Sequence, residues 1–146
     1  MQEGSTFSFS SNDHFGESVS LSGDGRVLAD GADNGNYAVI YPTNGTDLFQ
    51  IGQTIRVVAP GDLFGFSLSL SFDGNTIVIG GSANDSNGVD SGHALVFRLT
   101  PNGDGWVRIG QDLVGEAADD RFGVSTSISG GGMRIAIGAP RNDVGH

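Results

Sequence analysis

The chain has 146 residues, enough for one modest domain, with 17 acidic and 7 basic side chains and a formal net charge of −10. This charge argues against binding to nucleic acids, which needs a basic surface, and against binding to anionic membranes. No apolar run approaches the ~20 residues of a membrane-spanning helix, no signal peptide is expected in this chain, and the absence of cysteine excludes disulfides.

A unit that opens with Phe-Gly occurs three times along the chain. In each copy a serine follows three residues after the phenylalanine, a glycine ten residues after it, and another glycine sixteen residues after it. The openings are Phe15-Gly16, Phe64-Gly65 and Phe122-Gly123, and the closing glycines are Gly31, Gly80 and Gly138, the last followed by Ala139 and Pro140. Self-similarity at a period of about 50 residues indicates a repeat architecture.

Each copy is predicted to form a β-hairpin. In the second copy, bulky and small residues alternate from Phe64 to Ser71, the period of two that is typical of a strand. Asp73-Gly74 then signals a tight turn, and the β-branched run 76–79 forms the second strand. Because the small face carries serine and glycine instead of charge, we expect stacked sheets in which the bulky face of one meets the small face of the next.

The chain divides at the start of each repeat. Residues 1–12 lie where the last strand of a preceding unit should end, 13–61 form the first unit, 62–119 the second, and 120–146 the first half of a third. Four strands per unit and a period near 50 residues are typical of β-propeller blades. The sequence therefore predicts an all-β fold with about two and a half blades of four antiparallel strands, either a fragment of a propeller or a piece that completes a ring with other chains.

The outer half of each unit is predicted from its β-rich runs. The third strands are placed at 37–41 and 93–99, and the fourth strands around 48–51 and at 106–109. The residues that follow the fourth strands share an Ile-Gly-Gln pattern and are interpreted as links to the next unit. The second repeat is nine residues longer than the first, a difference that we assign to the loop 81–92. Asp30 stands where the other copies have isoleucine, which predicts an irregular strand end.

With Phe-Gly opening each unit and Gly138-Ala139-Pro140 closing the third, the chain resembles the FG-GAP repeat family, the repeat of the integrin α-subunit propeller. It is most similar to the repeats of microbial and algal surface proteins, and the resemblance covers residues 13–145. The resemblance implies a seven-bladed propeller used for adhesion or protein recognition, outside the cell or at its surface. The implied partners are a protein, further blades from the same or other chains, or a glycan.

The turn between the first two strands of each unit departs from the family members that bind Ca²⁺. Those members carry several acidic or Asn residues there, whereas each turn of this chain has at most one carboxylate. One carboxylate falls short of the six to eight oxygens that Ca²⁺ takes. We therefore expect no metal site and no cofactor.

The long loop of the second unit contains the densest cluster of oxygen ligands, formed by Asn84, Asp85, Asn87 and Asp90. The cluster lacks the EF-hand pattern, and these residue types are also expected in a solvated turn. Long loops on rigid scaffolds often carry function, so we interpret it as a candidate binding loop. Two N-glycosylation triplets, at Asn44 and Asn84, lie in predicted loops.

The sequence shows no catalytic constellation. His14, His93 and His146 have neither metal-site nor triad spacing, and the nucleophile-elbow and phosphate-loop motifs are missing. Acidic residues recur before each Phe-Gly, at Asp13, Asp62 and Asp119-Asp120. Because the acids recur with the repeat, we expect them to serve the fold by accepting hydrogen bonds from turn amides.

The leading hypothesis is a non-catalytic propeller module for protein–protein interaction, adhesion or structural assembly. One alternative is a carbohydrate-binding, lectin-like propeller, for which Tyr37, Tyr41 and Trp106 are the aromatic candidates, although such residues more often pack between blades. Another alternative is an accessory propeller domain of a larger secreted enzyme.

Overall fold

The computed structural model describes residues 10–44, 49–57 and 59–143. Within these ranges the chain forms ten β-strands and no helix, and so no helix long and apolar enough to cross a membrane. The strands are β1 (Phe15–Leu21), β2 (Val27–Ala32), β3 (Tyr37–Pro42), β4 (Ile55–Arg56), β5 (Phe64–Leu70), β6 (Thr76–Gly81), β7 (His93–Leu99), β8 (Trp106–Val114), β9 (Ser125–Ile128) and β10 (Ile135–Gly138).

The strands pair antiparallel with their neighbours in chain order. They form a four-stranded sheet β1-β2-β3-β4, a second sheet β5-β6-β7-β8, and a hairpin of β9 and β10. These are two propeller blades and the first half of a third, which confirms the predicted fold class.

The turn that closes each hairpin is stabilised by its own side chains. In the first turn the Ser22 hydroxyl donates to Asp24 Oδ1 at 2.7 Å and accepts from the Val27 amide at 3.0 Å. Asp24 Oδ1 also accepts from the Arg26 amide at 3.0 Å. The second turn repeats these contacts with Ser71, Asp73, Asn75 and Thr76. Because the hydrogen bonds are local, the turn forms wherever the short motif occurs.

Serines join each blade to the next. The Ser18 hydroxyl of the first blade donates to the Gly65 carbonyl of the second at 2.6 Å. In the same way Ser67 of the second blade donates to the Gly123 carbonyl of the third at 2.7 Å. The next serine along each strand accepts from a backbone amide instead, in the pairs Ser20 with Leu70 (3.0 Å) and Ser69 with Ile128 (3.2 Å). The small face of each sheet therefore contacts the following blade, as predicted.

The glycine that closes each of the first two units is required by this close approach. A Cβ atom at Gly31 would overlap the Gly65 carbonyl oxygen, and one at Gly80 would overlap the Gly123 carbonyl oxygen. Any side chain at these positions would push neighbouring blades apart, which is why glycine recurs there.

The main hydrophobic core lies between the first two blades. Leu68 of the second blade belongs to one buried cluster with Ala29 and Ala38 of the first. Trp106 is 4% exposed in the same cluster, and its Nε1 donates to the Ile51 carbonyl at 2.7 Å. The bulky side of the second sheet thus fills the space left by small residues of the first, and Trp106 packs between blades as expected.

The outer strands differ from the prediction. The fourth strand of the first blade is β4 at Ile55–Arg56, beyond the predicted 48–51, of which residue 48 lies outside the described residues. In the second blade, β8 runs over Trp106–Val114, so the stretch interpreted as a link belongs to the strand.

Pairing with the third strand, more than local pattern, sets where the outer strands lie. In the first blade Ile55 pairs with Ala38. In the second blade the equivalent residues, Leu113 and Ala94, pair in the same way. Gly110 has a φ of +73°, and the register shifts between Ala94 and Val96, so β8 bends and then resumes its pairing. A glycine in a polar run has the sequence pattern of a linker even when the backbone continues as a strand.

The expectation for Asp30 was also wrong. Asp30 pairs in register with Val19 on one side and Val39 on the other. The irregularity of this hairpin lies between Phe15 and Ser18, at the Phe-Gly opening.

Candidate functional site

The long loop that was predicted to carry a binding function lies between β6 and β7. It comprises residues 82–92, eleven residues where the corresponding loop of the first blade, 33–36, has four. Seven of the nine extra residues in the second repeat therefore lie here, and not all nine as predicted. The other two lie in the outer half of the blade.

Asn84 anchors the loop from inside. The residue is 7% exposed, and its Nδ2 donates to Asp62 Oδ2 at 2.8 Å. Its carbonyl accepts from the Ser91 hydroxyl at 3.1 Å and from the Gly92 amide at 2.9 Å. Asn84 therefore holds the two ends of the loop together and is not available to a ligand, contrary to the prediction.

The two glycosylation predictions fare differently. A glycan needs an exposed side-chain nitrogen, so the buried and hydrogen-bonded Nδ2 of Asn84 conflicts with that prediction. Asn44 is exposed, but Gly45 and Thr46 of its triplet lie outside the described residues. Glycosylation at Asn44 stays a prediction.

Two further residues of the candidate loop are used to fix its shape. Asn87 Nδ2 donates to the carbonyls of Gly115 and Glu116, both at 2.9 Å. Asp85 Oδ1 accepts from the Asp90 amide at 2.9 Å. These bonds tie the loop to itself and to the segment after β8, so little conformational freedom remains to be lost when a partner binds.

Asp90 lies at the base of the loop beside the third hairpin. Its carbonyl accepts from the Arg121 amide at 3.0 Å, and its Oδ2 lies 4.0 Å from Arg121 Nη2. Both residues line a cavity of about 160 Å³ together with Leu63, Ser82 and Ala83. The partly exposed ion pair contributes little to stability, so the backbone hydrogen bond is the firmer link between loop and hairpin.

Val89 projects from the tip of the loop. Its side chain is 68% exposed, and its carbonyl accepts from the Asp119 amide at 2.8 Å. Asp85, Glu116 and Asp119 are exposed on the neighbouring backbone, and we call these three acids together with Val89 the loop surface. An apolar tip on a fixed backbone, flanked by carboxylates, is suited to a partner that offers a small apolar pocket with a basic rim.

Sequence reasoning missed Val89. A single valine in a run of Asn, Asp, Ser and Gly has no periodicity and no motif to distinguish it. Its significance depends on the hydrogen bonds that hold the loop around it, and these involve residues far along the chain.

One acid before each Phe-Gly serves the fold, as predicted, whereas the carboxylate of Asp119 is exposed. Asp120 Oδ2 accepts from the Ala117 amide at 2.9 Å and from Asn142 Nδ2 at 3.0 Å. The other two positions use related partners: Asp62 accepts from Asn84 (2.8 Å), and Asp13 accepts from the Ser10 amide (3.3 Å) and the Tyr37 hydroxyl (3.1 Å). The recurrence of Asn twenty residues after the second and third Phe-Gly was a sequence signal for this pairing that the prediction did not use.

The two described histidines have different surroundings. His93 is 4% exposed and packs edge-on against the Phe64 ring, with 5.8 Å between the two ring centroids. Burial lowers the pKa of its imidazole, which keeps this side chain neutral in the core.

His14 is exposed and lies close to Glu17 and Asp33. The ligating atoms of the three side chains lie within 4.8 Å of one another. The spacing of the histidines in sequence had suggested no such group.

Part of the chain matches a known protein family. Residues 57–97, which include the second hairpin and the candidate loop, match the model of the FG-GAP repeat family. No curated protein matches the chain. A solved structure of Kuenenia stuttgartiensis hydrazine synthase is similar, with a TM-score of 0.56 and 11% identity over 94% of this chain and 32% of that chain. This chain thus spans about a third of that structure's length, and at such identity the likeness shows the fold alone.

Proposed function

We propose that this chain, of which residues 57–97 match the FG-GAP repeat model, is a non-catalytic propeller module that binds another protein through the loop surface. The observation that carries the proposal is the 68% exposure of Val89 at the tip of a loop that is fixed by its own hydrogen bonds. The stacked sheets hold the base of this loop, because the amides of Arg121 and Phe122 donate to it at 3.0 Å each.

Charge supports a basic partner. The chain carries a formal net charge of −10, and the exposed acids of the loop surface lie beside its apolar tip. Electrostatic complementarity of this kind speeds association and selects among partners more than it adds affinity. FG-GAP repeats are generally extracellular, so an extracellular or cell-surface location also belongs to the proposal, and cell fractionation tests it.

The lectin alternative has weaker support. Tyr37 and Trp106, two of its three candidate aromatic residues, are 2% and 4% exposed. Tyr41, the third, packs against the small cluster that contains Tyr37. Rings as buried as those of Tyr37 and Trp106 offer no flat face on which a sugar can stack, and Tyr41 is partly buried.

Site-specific crosslinking tests the proposed interface. A photo-crosslinking amino acid at position 89 is expected to capture a basic protein partner from the organism's surface or secreted fraction. Val107, which is 53% exposed on β8, is the matched control position. With the captured partner, Val89→Asp is expected to weaken binding by at least about tenfold, the effect of losing an apolar anchor, and Val107→Asp is expected to leave it unchanged. Equal crosslinking at both positions, or full affinity of the Val89→Asp variant, would contradict the proposal.

A further inference from the structure

Three side chains with metal-binding chemistry converge at the start of the first blade. His14 lies in the turn before β1, Glu17 lies on β1, and Asp33 directly follows β2. His14 Nδ1 lies 3.1 Å from Asp33 Oδ1, and the ligating atoms of all three lie within 4.8 Å of one another. Asp33 is 6% exposed, whereas His14 and Glu17 are open to solvent.

The repeat shows that the fold does not require these residues. The equivalent positions are occupied by Leu63, Phe66 and Ser82 in the second copy and by Arg121, Val124 and Pro140 in the third. The backbone at the first of these positions is nevertheless the same in all copies, with φ values of +56°, +55° and +54° at His14, Leu63 and Arg121. The first blade has therefore gained three ligand-type side chains on an unchanged backbone.

We propose that His14, Glu17 and Asp33 bind a Zn²⁺ ion. One imidazole nitrogen and two carboxylate oxygens are a donor set that Zn²⁺ accepts, with bonds of roughly 2.0–2.2 Å. Bonds of that length in a tetrahedron place neighbouring ligand atoms about 3.3–3.6 Å apart, slightly more than the 3.1 Å between His14 Nδ1 and Asp33 Oδ1. Ca²⁺ fits less well, since it takes six to eight oxygen ligands.

The surroundings orient the buried carboxylate. Asp33 Oδ1 accepts from the Asn34 amide at 2.7 Å, the kind of outer contact that positions a ligand for its metal. Three protein ligands leave the fourth position of the ion open on the exposed side. An ion bound to the three side chains connects the turn before β1 to the end of β2 and so stabilises the first hairpin at its open end.

Metal titration of the purified full chain tests the proposal. After treatment with a chelator, the chain is expected to bind one Zn²⁺ in calorimetry, and Co²⁺ is expected to give the visible absorption of a four-coordinate site. Zn²⁺ is also expected to raise the melting temperature, since a ligand that binds only the folded state stabilises it. His14→Asn and Asp33→Ser are each expected to lower the affinity at least about tenfold.

The variants are chosen so that the fold is kept. Asn tolerates the positive φ of position 14, and Ser is the residue of the second copy at the position of Asp33. Leu63→Asn makes the same type of change at the equivalent position of the second blade and is expected to leave Zn²⁺ affinity unchanged. If either variant of the cluster unfolds, Glu17→Gln decides, because it changes an exposed side chain to one of the same shape.

Two results would overturn the proposal. One is a parent chain that binds no Zn²⁺ at millimolar concentration, and the other is a triple variant (H14N, E17Q, D33S) that binds as tightly as the parent. The loop surface is distinct from this cluster, and Val89→Asp is expected to leave Zn²⁺ affinity unchanged. A failed metal titration therefore leaves the crosslinking test of the loop independent.

Discussion

Two of the residues that recur in every copy, the serine three positions after the phenylalanine and the closing glycine, contact the next blade in the first two units. Ser18 and Ser67 donate to backbone carbonyls of the following unit, and the closing glycines make room for those same carbonyls. Their identity is thus fixed by a neighbour about 50 residues away, and not by the conformation of their own strand. Residues without such a contact, as at positions 14 and 33, differ from copy to copy.

A single methyl group at one of these glycines tests how tightly the blades approach. Gly80→Ala is expected to lower the free energy of unfolding by about 1–3 kcal/mol, because the new Cβ atom collides with the Gly123 carbonyl oxygen. Gly131→Ala is the control, since a Cβ atom there meets nothing within 4 Å, and its effect is expected to stay within about 0.5 kcal/mol. Urea denaturation measures both, and equal effects would show that the junction has spare room.

At the scale of elements, the hairpin turns combine stability with sensitivity to acid. Two hydrogen bonds lower the pKa of the Asp73 carboxyl from its ordinary 3.8. The bond from the Asn75 amide has the larger effect, and the bond from the Ser71 hydroxyl has the next largest. A carboxyl whose pKa is lower in the folded state stabilises the fold fully above 3.8 and loses that contribution as the pH falls through its folded pKa. The third turn has Gly131 at this position and lacks the contribution of this carboxylate.

Replacing Asp73 is expected to flatten the response to acid. Between about pH 5 and pH 2, the Asp73→Asn variant should lose less unfolding free energy than the parent. The difference is expected to be below about 1 kcal/mol, because the carboxylate is exposed and screened by solvent. Glu116→Gln removes an exposed carboxylate outside the turns as a control. Chemical denaturation at a series of pH values measures the slopes, and identical slopes for parent and Asp73→Asn would contradict this account of the turn.

How far each element could be predicted follows from the range of its contacts. The hairpins were predictable because alternation and the Ser-x-Asp-Gly turn are local signals. The outer strands were misplaced because β4 and β8 are positioned by pairing with β3 and β7, and the bend at Gly110 is indistinguishable from a linker in sequence. The roles of Asn84 and Val89 escaped prediction for the same reason, since the partner of Asn84 is Asp62, 22 residues earlier.

At the scale of the whole molecule, the blades depend on one another through buried contacts. The core is shared between the first two sheets, and Ser67, which is 9% exposed, joins the second sheet to the third hairpin. We therefore expect the junction between blades to determine how cooperatively the chain unfolds. A two-stranded hairpin by itself is marginally stable in water, so β9 and β10 depend most on this junction.

Removing the junction serine tests this dependence. Ser67→Ala is expected to cost about 1–3 kcal/mol of unfolding free energy, because it leaves the buried Gly123 carbonyl without its hydroxyl donor. Amide hydrogen exchange should become faster in β9 and β10 in particular. Ser125 occupies the same repeat position on the last described sheet, and Ser125→Ala is expected to change stability by less than about 0.5 kcal/mol. Unaltered exchange in β9 and β10 would mean that other contacts hold the third hairpin in place.

The two junctions use the same pair of atoms, a serine hydroxyl and the carbonyl of the Phe-Gly glycine, at nearly equal distances. A duplicated copy of the unit inserted between them would find a ready donor on one side and a ready acceptor on the other. Tandem duplication in the gene can therefore lengthen such a protein without inventing a new contact, and long loops such as 82–92 can diversify afterwards on a frame that already fits.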